Sequence, residues 1–237
     1  MPYQFLSRTY FAHRIALRQL MAAAGERHIT ISSDGSTTIW VPGLDEHYHS
    51  IHGARTESLH VFIEAGLKST TARTLRILEV GLGTALNAQL TFETAKELGI
   101  EVHYTALEKF PITHEEANAL SEAGMRGALP FLLAPHNERI YFGDSSFTLV
   151  VEDLRTFHAE KGAFDLIYFD AFAPSAQPEL WSDRVFENMY RVLANGGMLT
   201  TYCAKGVVKR TMKAAGFEVE ALPGPPRKRE MTRAWKR

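Results

Sequence analysis

A short apolar run, FDLIYFDAFAP (164–174), reads as a buried strand that ends on a carboxylate, Asp170, followed by a small residue and a turn closed by Pro174. In open parallel α/β sheets ligands gather beyond the carboxyl ends of the strands, so a charge there is placed to touch one. LEVGLGTALNA (78–88) supplies a second chemical feature. Gly81 and Gly83 let the backbone turn sharply and approach a ligand, and the helix starting near Leu86 aims unpaired N–H groups into the same space. Leu86 stands where the dinucleotide pattern has its third glycine, which argues against a pyrophosphate. Glu79, just before the turn, would repel phosphate and accept from an ammonium. Glu108 ends EVHYTALE (101–108) and suits a ribose diol, since one carboxylate accepts from both hydroxyls. Asp144, after Gly143 at the end of ERIYFGD (138–144), suits an exocyclic purine amine. Each acid alone has the plainer reading of a helix cap or turn residue. Recurring at successive strand ends beside a glycine turn, they describe a cationic, diol-bearing, phosphate-free ligand such as S-adenosylmethionine.

The elements that must position these residues follow from periodicity. Strands are expected at 74–80, 101–108, 138–144, 164–170 and 198–203, alternating with helices at 85–99, 113–124, 146–162, 182–197 and 207–216. Thr113 and Glu116 have the spacing of a capping box, and Asn195-Gly196-Gly197 is read as the stop of the helix before it. FEVEAL and MTRAW flank the turn GPP (224–226) as a closing hairpin. Such alternation implies a mainly parallel, doubly wound α/β sheet with an antiparallel edge. Residues 1–70 differ: an amphipathic helix, a hairpin about Asp34-Gly35 and a helix over 59–67 read as an N-terminal extension and lid to a sheet domain at 71–237.

Composition narrows the class. With 45% hydrophobic residues in 237, the chain can bury a full core, and no run approaches the ~20 apolar residues of a membrane span. Arg8, His13, Arg14 and Arg18 interrupt the N-terminal segment, unlike a secretory signal; an organelle-targeting arm is the other reading of this basic stretch. Cys203 is the single cysteine, which excludes an internal disulfide or a cysteine-cluster metal site and fits the cytoplasm. His47, His49 and His52 form H-x-H-x-x-H, yet no metal is expected, since no cysteine partners them. No G-x-S-x-G elbow points to a hydrolase. Charge is uneven: residues 205–237 hold ten Lys/Arg against three Glu, leaving 16 basic and 24 acidic residues of the chain's 26 and 27 elsewhere. A locally basic face of this kind suits a phosphate backbone, and a solvated tail is the alternative.

EVGLGTALN, Glu108, Gly143-Asp144 and FDLIYFDAFAP together resemble the Rossmann-like class I methyltransferase fold. DGS (34–36), DEHYHS (45–50), GARTES (53–58), DAFAP with ELW (179–181), and RKREM (227–231) are similar to the tRNA 5-(methylaminomethyl)-2-thiouridine methyltransferase family, over roughly residue 30 to the C-terminus. The resemblance implies a seven-stranded, mainly parallel sheet with an antiparallel C-terminal hairpin. It also implies methyl transfer from S-adenosylmethionine to the primary amine of 5-aminomethyl-(2-thio)uridine at the tRNA wobble position. Asp170 would then be the catalytic residue, with Phe172 and Pro174 forming a wall for a stacked base, and Arg227, Lys228 and Arg229 would hold tRNA phosphates. A charged hairpin turn is the alternative for that triplet. Tyr48 and Glu57 are expected to cover the cofactor, chiefly on the strength of the resemblance. Many members of the family continue into a flavin-dependent oxidase domain. This chain ends at Arg237, so the aminomethyl substrate is expected ready-made or from a separate enzyme. An alkylamine near ~10.4 and an Asp near ~3.9 make direct proton abstraction uphill by about 9 kcal/mol, so Asp170 is expected to orient the amine instead. The competing readings are a methyltransferase or aminopropyltransferase for a small-molecule amine, and a non-catalytic tRNA-binding module.

Overall fold

The computed structural model describes residues 27–237, and the expected N-terminal helix lies outside them. Strands β4 (Thr74–Val80), β5 (Glu101–Glu108) and β8 (Phe164–Phe169) are the apolar runs named above, and they pair in parallel as neighbours. Their successive side chains alternate between two faces, and both faces are covered. Ile77, Tyr104 and Tyr168 meet helices α2 (Leu86–Leu98) and α3 (His114–Leu120) on one side. Leu78, Ile167 and Phe169 meet α5 (Asp183–Val192) and α6 (Gly206–Ala214) on the other. A short helix, α4 (Leu129–Leu132), adds Phe131 and Leu132 to the first side. A fully buried Leu, Ile or Phe contributes roughly 1.5–3 kcal/mol, so burial on both faces fixes these strands firmly.

The full sheet has eight strands, one more than expected, in the order β10 (Glu218–Pro223), β11 (Glu230–Trp235), β9 (Leu193–Thr201), β8, β4, β5, β7 (Ser145–Val151) and β6 (Arg139–Phe142). The extra strand is β7 (Ser145–Val151), in a segment expected to be helical. Its alternation places Phe147 and Leu149 in the core at 0% exposure, and period two prevails over the helix formers that follow. Phe142 pairs with Ser145, so β6 (Arg139–Phe142) is an antiparallel edge joined to β7 by the two-residue turn Gly143-Asp144. A second correction concerns Asn195-Gly196-Gly197. Helix α5 stops at Val192, and these residues lie inside β9 (Leu193–Thr201). Phe164 pairs with Leu193 but Leu166 with Met198, so the extra residues bulge out beside β8. The closing hairpin, β10 (Glu218–Pro223) with β11 (Glu230–Trp235), pairs antiparallel to β9 as expected.

The N-terminal part is tied to the same core. Strands β1 (His28–Ile31), β2 (Thr37–Val41) and β3 (Glu46–His47) form a small antiparallel sheet turning at Asp34-Gly35. Asp34 accepts from Thr56 N at 3.1 Å and Thr56 Oγ1 at 2.9 Å, anchoring the turn to helix α1 (Ala54–Ser58). Helix α1 continues as a wider turn, Leu59–Glu64, whose Val61, Phe62 and Ile63 are buried in the cluster that holds Ile77 and Tyr168. The capping box is present: Thr113 Oγ1 accepts from Glu116 N at 3.2 Å, and Glu116 Oε2 accepts from Thr113 N at 2.6 Å. Among the described residues no helix is long and apolar enough to cross a membrane.

Candidate active site

The carboxyl ends of β4, β5, β7 and β8 open onto one cavity of about 530 Å³, the size usual for a small-ligand site. The glycine turn forms its floor. Gly81 has φ 88° and Gly83 φ 53°, a region costly for other residues. A Cβ on Gly81 would lie 2.9 Å from Asp170 O, and one on Gly83 2.7 Å from the Tyr48 ring. Only bare backbone fits here. Glu108 spans the gap between strand end and turn, accepting from Phe110 N at 2.8 Å and Gly83 N at 3.4 Å.

Asp170 stands at the tip of β8, where its own N–H donates to Val80 O at 3.0 Å. Its Oδ2 accepts from Asn87 Nδ2 at 2.8 Å. Burial lifts its carboxyl to about 7, Asn87 and Lys228 pull it back, and Glu57 pushes it further up. Glu79 does not reach the cavity wall. It is 0% exposed, one layer behind, with Oε1 accepting from the same Asn87 Nδ2 at 3.0 Å. Burial, and then the charge of Asp170, hold it well above the usual carboxylate range. Thus the anion expected to meet an ammonium is a neutral buried acid.

Aromatic rings and one ion pair enclose the entrance. Tyr48 meets Phe172 edge-on with centroids 5.2 Å apart, and Trp181 Nε1 holds Phe172 O at 2.9 Å. Tyr202 donates to Ala171 O at 2.9 Å, fixing the turn after Asp170 from the far side. Lys228 bonds Glu57 at 2.7 Å and lies 4.7 Å over the Tyr202 ring. The basic triplet is therefore divided. Lys228 turns inward to the cavity wall; Arg227, at φ 72°, bonds His52 Nδ1 at 3.0 Å; the Arg229 side chain is 94% exposed.

The structure brings Tyr48, Glu57, Gly81, Gly83, Glu108, Asp170, Phe172 and Lys228 together, and leaves Asp144, Arg227 and Arg229 away from the cavity. Asp144 sits in the turn at the amino end of β7, because β6 runs antiparallel. The carboxyl end of β7 instead presents Glu152 and Asp153. Asp153 accepts from Lys109 at 2.8 Å and from Arg155 at 2.5 Å, and these cations hold it far below the usual range, Arg155 foremost. The alternation of SSFTLVV running straight into Glu152-Asp153 was the signal for this acidic end. Asn87 and Tyr202 carried none, being one polar residue in a helix and one aromatic after a strand. His49 lines the wall beside His47, bonded to Thr84 Oγ1 at 2.8 Å, and burial lowers it to about 4, so it is neutral.

A glycine cradle that a Cβ would fill, and walls bearing Glu57, Glu108, Glu152 and Asp170, fit a cationic ligand with hydroxyls. Residues 119–237 match the model of a family described as S-adenosyl-L-methionine-dependent methyltransferase. The chain belongs to that methyltransferase family. The bifunctional tRNA 5-methylaminomethyl-2-thiouridine biosynthesis protein MnmC of Cupriavidus metallidurans is 34% identical over 222 residues, covering 85% of this chain and 33% of its own. That of Pseudoalteromonas atlantica is 31% identical over 235 residues, covering 86% and 32%. The methyltransferase thus spans about a third of the length of these curated relatives. The crystal structure of MNMC2 from Aquifex aeolicus superposes with a TM-score of 0.71 at 26% identity, over 90% of this chain and 71% of that one. Spermidine synthase from Thermotoga maritima shares the fold alone, at TM-score 0.54 and 13% identity.

Proposed function

We propose that this methyltransferase moves a methyl group to the primary amine of 5-aminomethyl-(2-thio)uridine at the tRNA wobble position. The observation that carries the reading is the place of Asp170: a charge-bearing group beside the glycine cradle, between the rings of Phe172, Tyr48 and Tyr202. Aromatic walls suit a splayed-out base, and the carboxylate suits its aminomethyl arm. The similarity to the MnmC proteins supports the same acceptor.

Tyr48, Glu57, Gly81, Gly83, Glu108 and, in place of Asp144, Glu152 and Asp153 would hold S-adenosylmethionine, which supplies an electrophilic methyl group when bound. Asp170 accepts a hydrogen bond from the neutral amine and points its lone pair at that carbon. Bound there, S-adenosylmethionine would supply the methyl group and keep the C–S electron pair on its sulfur. The carboxylate stabilises the ammonium that develops, and a proton then leaves the nitrogen. With Asp170 at about 7, taking a proton from an alkylammonium is uphill by about 5 kcal/mol, which still favours an amine that arrives neutral.

The basic C-terminal segment contributes less free charge than its composition suggests. Lys209, Arg233 and Arg237 pair with Glu230, Glu220 and Glu218, and Lys236 is buried on the carbonyls of Tyr190 and Leu193. Lys205, Arg210 and Lys213 have no ion pair among the described residues and, with Arg229, are the cations proposed to meet tRNA phosphates. The reading places the protein in the cytoplasm with its tRNA, acting after the step that makes the aminomethyl group. Mass spectrometry of wobble nucleosides tests it, using purified protein, S-adenosylmethionine and tRNA bearing the aminomethyl group. Gain of one methyl on that nucleoside supports the proposal. Methylation of a polyamine in a parallel reaction, with none on the tRNA, overturns it.

A further inference from the structure

The side-chain amide of Asn87 spends its Nδ2 donors inside the protein, toward Glu79 Oε1 and Asp170 Oδ2. Asn87 is 1% exposed, its Oδ1 is buried without a hydrogen-bond partner, and the Glu79 carboxyl has Asn87 and the neighbouring Tyr104 hydroxyl to counter its burial. Unpaired buried polar atoms are costly, and leucine has the same branched shape without them. Packing therefore does not account for the choice. Two carboxyl groups on one amide cannot both ionise in a water-poor site. Glu79 has no cation beside it, whereas Asp170 has Lys228 and the cavity, so Glu79 is the carboxyl held protonated and Asp170 the one that ionises. The other groups facing the pair leave that assignment intact. Glu57 on α1 and Lys228 on the hairpin turn neutralise each other, and burial keeps Tyr104, Tyr168 and Tyr202 un-ionised. Glu108, at the end of β5, acts on Glu79 and pushes the proton further onto it.

We propose that Glu79 and Asn87 are positioning residues of the methyl-transfer site: the Asn87 amide ties one Asp170 oxygen back to the buried Glu79 carboxyl, leaving the other to meet the acceptor amine. This deepens the proposed function and rests on it. Two readouts test it: a carbon-13 NMR titration of the Asp170 carboxyl, assigned by its loss in Asp170→Asn, and the pH profile of single-turnover methyl transfer. Asn87→Ala removes the bond that favours the carboxylate. Its Asp170 midpoint is expected to rise by about one pH unit, the acid limb of turnover to follow, and turnover at pH 7 to fall about tenfold. S-adenosylmethionine affinity, by calorimetry, should stay within about threefold. Glu79→Ala, which leaves the amide untethered, should behave likewise, and Glu79→Gln, neutral and of the same shape, should rescue it. Asn87→Ser serves where the alanine variant does not fold. An unmoved midpoint in the folded Asn87 variant, or Glu79→Gln as impaired as Glu79→Ala, overturns the tether. An active wild type with an unmoved midpoint sinks the tether alone; a wild type that methylates no aminomethyl tRNA sinks the functional reading, while the midpoint still judges the tether.

Discussion

The two edges of the sheet carry the same kinds of side chain to opposite ends. At the carboxyl edge Glu108 and Asp170 face a cavity, and burial moves Asp170 to about 7. At the amino edge Asp165 pairs with Arg76 at 2.6 Å near the surface, and Asp144 occupies an exposed turn. A carboxylate does chemistry when the fold removes its water and withholds a full counter-charge; in solvent it only caps, pairs and solubilises.

That contrast can be broken most sharply at Asp170. Asp170→Asn should lower turnover on the order of 100-fold, with cofactor affinity within a few fold, as is typical when one preorganised electrostatic contact is lost. Stopped-flow methyl transfer beside calorimetry checks it, and normal turnover would end the assignment. The same variant has a stability signature. A carboxyl raised from 3.8 to about 7 is held protonated by the native state, so it costs nothing below about pH 4. Native stability then falls as pH climbs between those two values and levels off above the higher one. Without ligand, Asp170→Asn should therefore be the more stable protein at pH 8, by at most about 4 kcal/mol, with the gap closing near pH 4. Urea melts at both pH values decide this.

Gly83→Ala is a smaller blow to the same edge. Its positive φ and the contact with Tyr48 predict a loss on the order of 1–3 kcal/mol, with cofactor binding weakened about tenfold. Retained affinity would mean that the turn does not cradle the ligand. The amino edge supplies the smallest effects. Asp165→Asn should cost about 0.5–1 kcal/mol of stability, Asp144→Asn less than about 0.5, and both should keep wild-type kinetics. A kinetic defect in Asp144→Asn would return that residue to the site.

Much of this was legible beforehand. The buried parallel strands announce themselves as unbroken apolar runs, because both of their faces are covered, and Gly81 and Gly83 mark a turn that needs positive φ. The segment from 138 to 162 departs from its sequence pattern at one point, the Gly143-Asp144 hairpin. Reversing the chain there turned a helix into β7 and carried Asp144 to the far edge of the sheet. The triplet Arg227, Lys228 and Arg229 looked uniform because its members are chemically alike. The backbone at Arg227, with φ 72°, sends them in three directions.

Local pattern was enough to determine the strand–helix alternation, the glycine turn and the acids Glu108 and Asp170, since each depends on neighbours within a few residues. Tertiary structure alone decided which acid keeps its proton, which lysine faces the cavity and which side chain joins Glu79 to Asp170. Those outcomes depend on solvent exclusion and on distances between residues far apart in the chain, such as Asn87 and Asp170, whose contact at 2.8 Å exists only once β4, β8 and α2 have packed together.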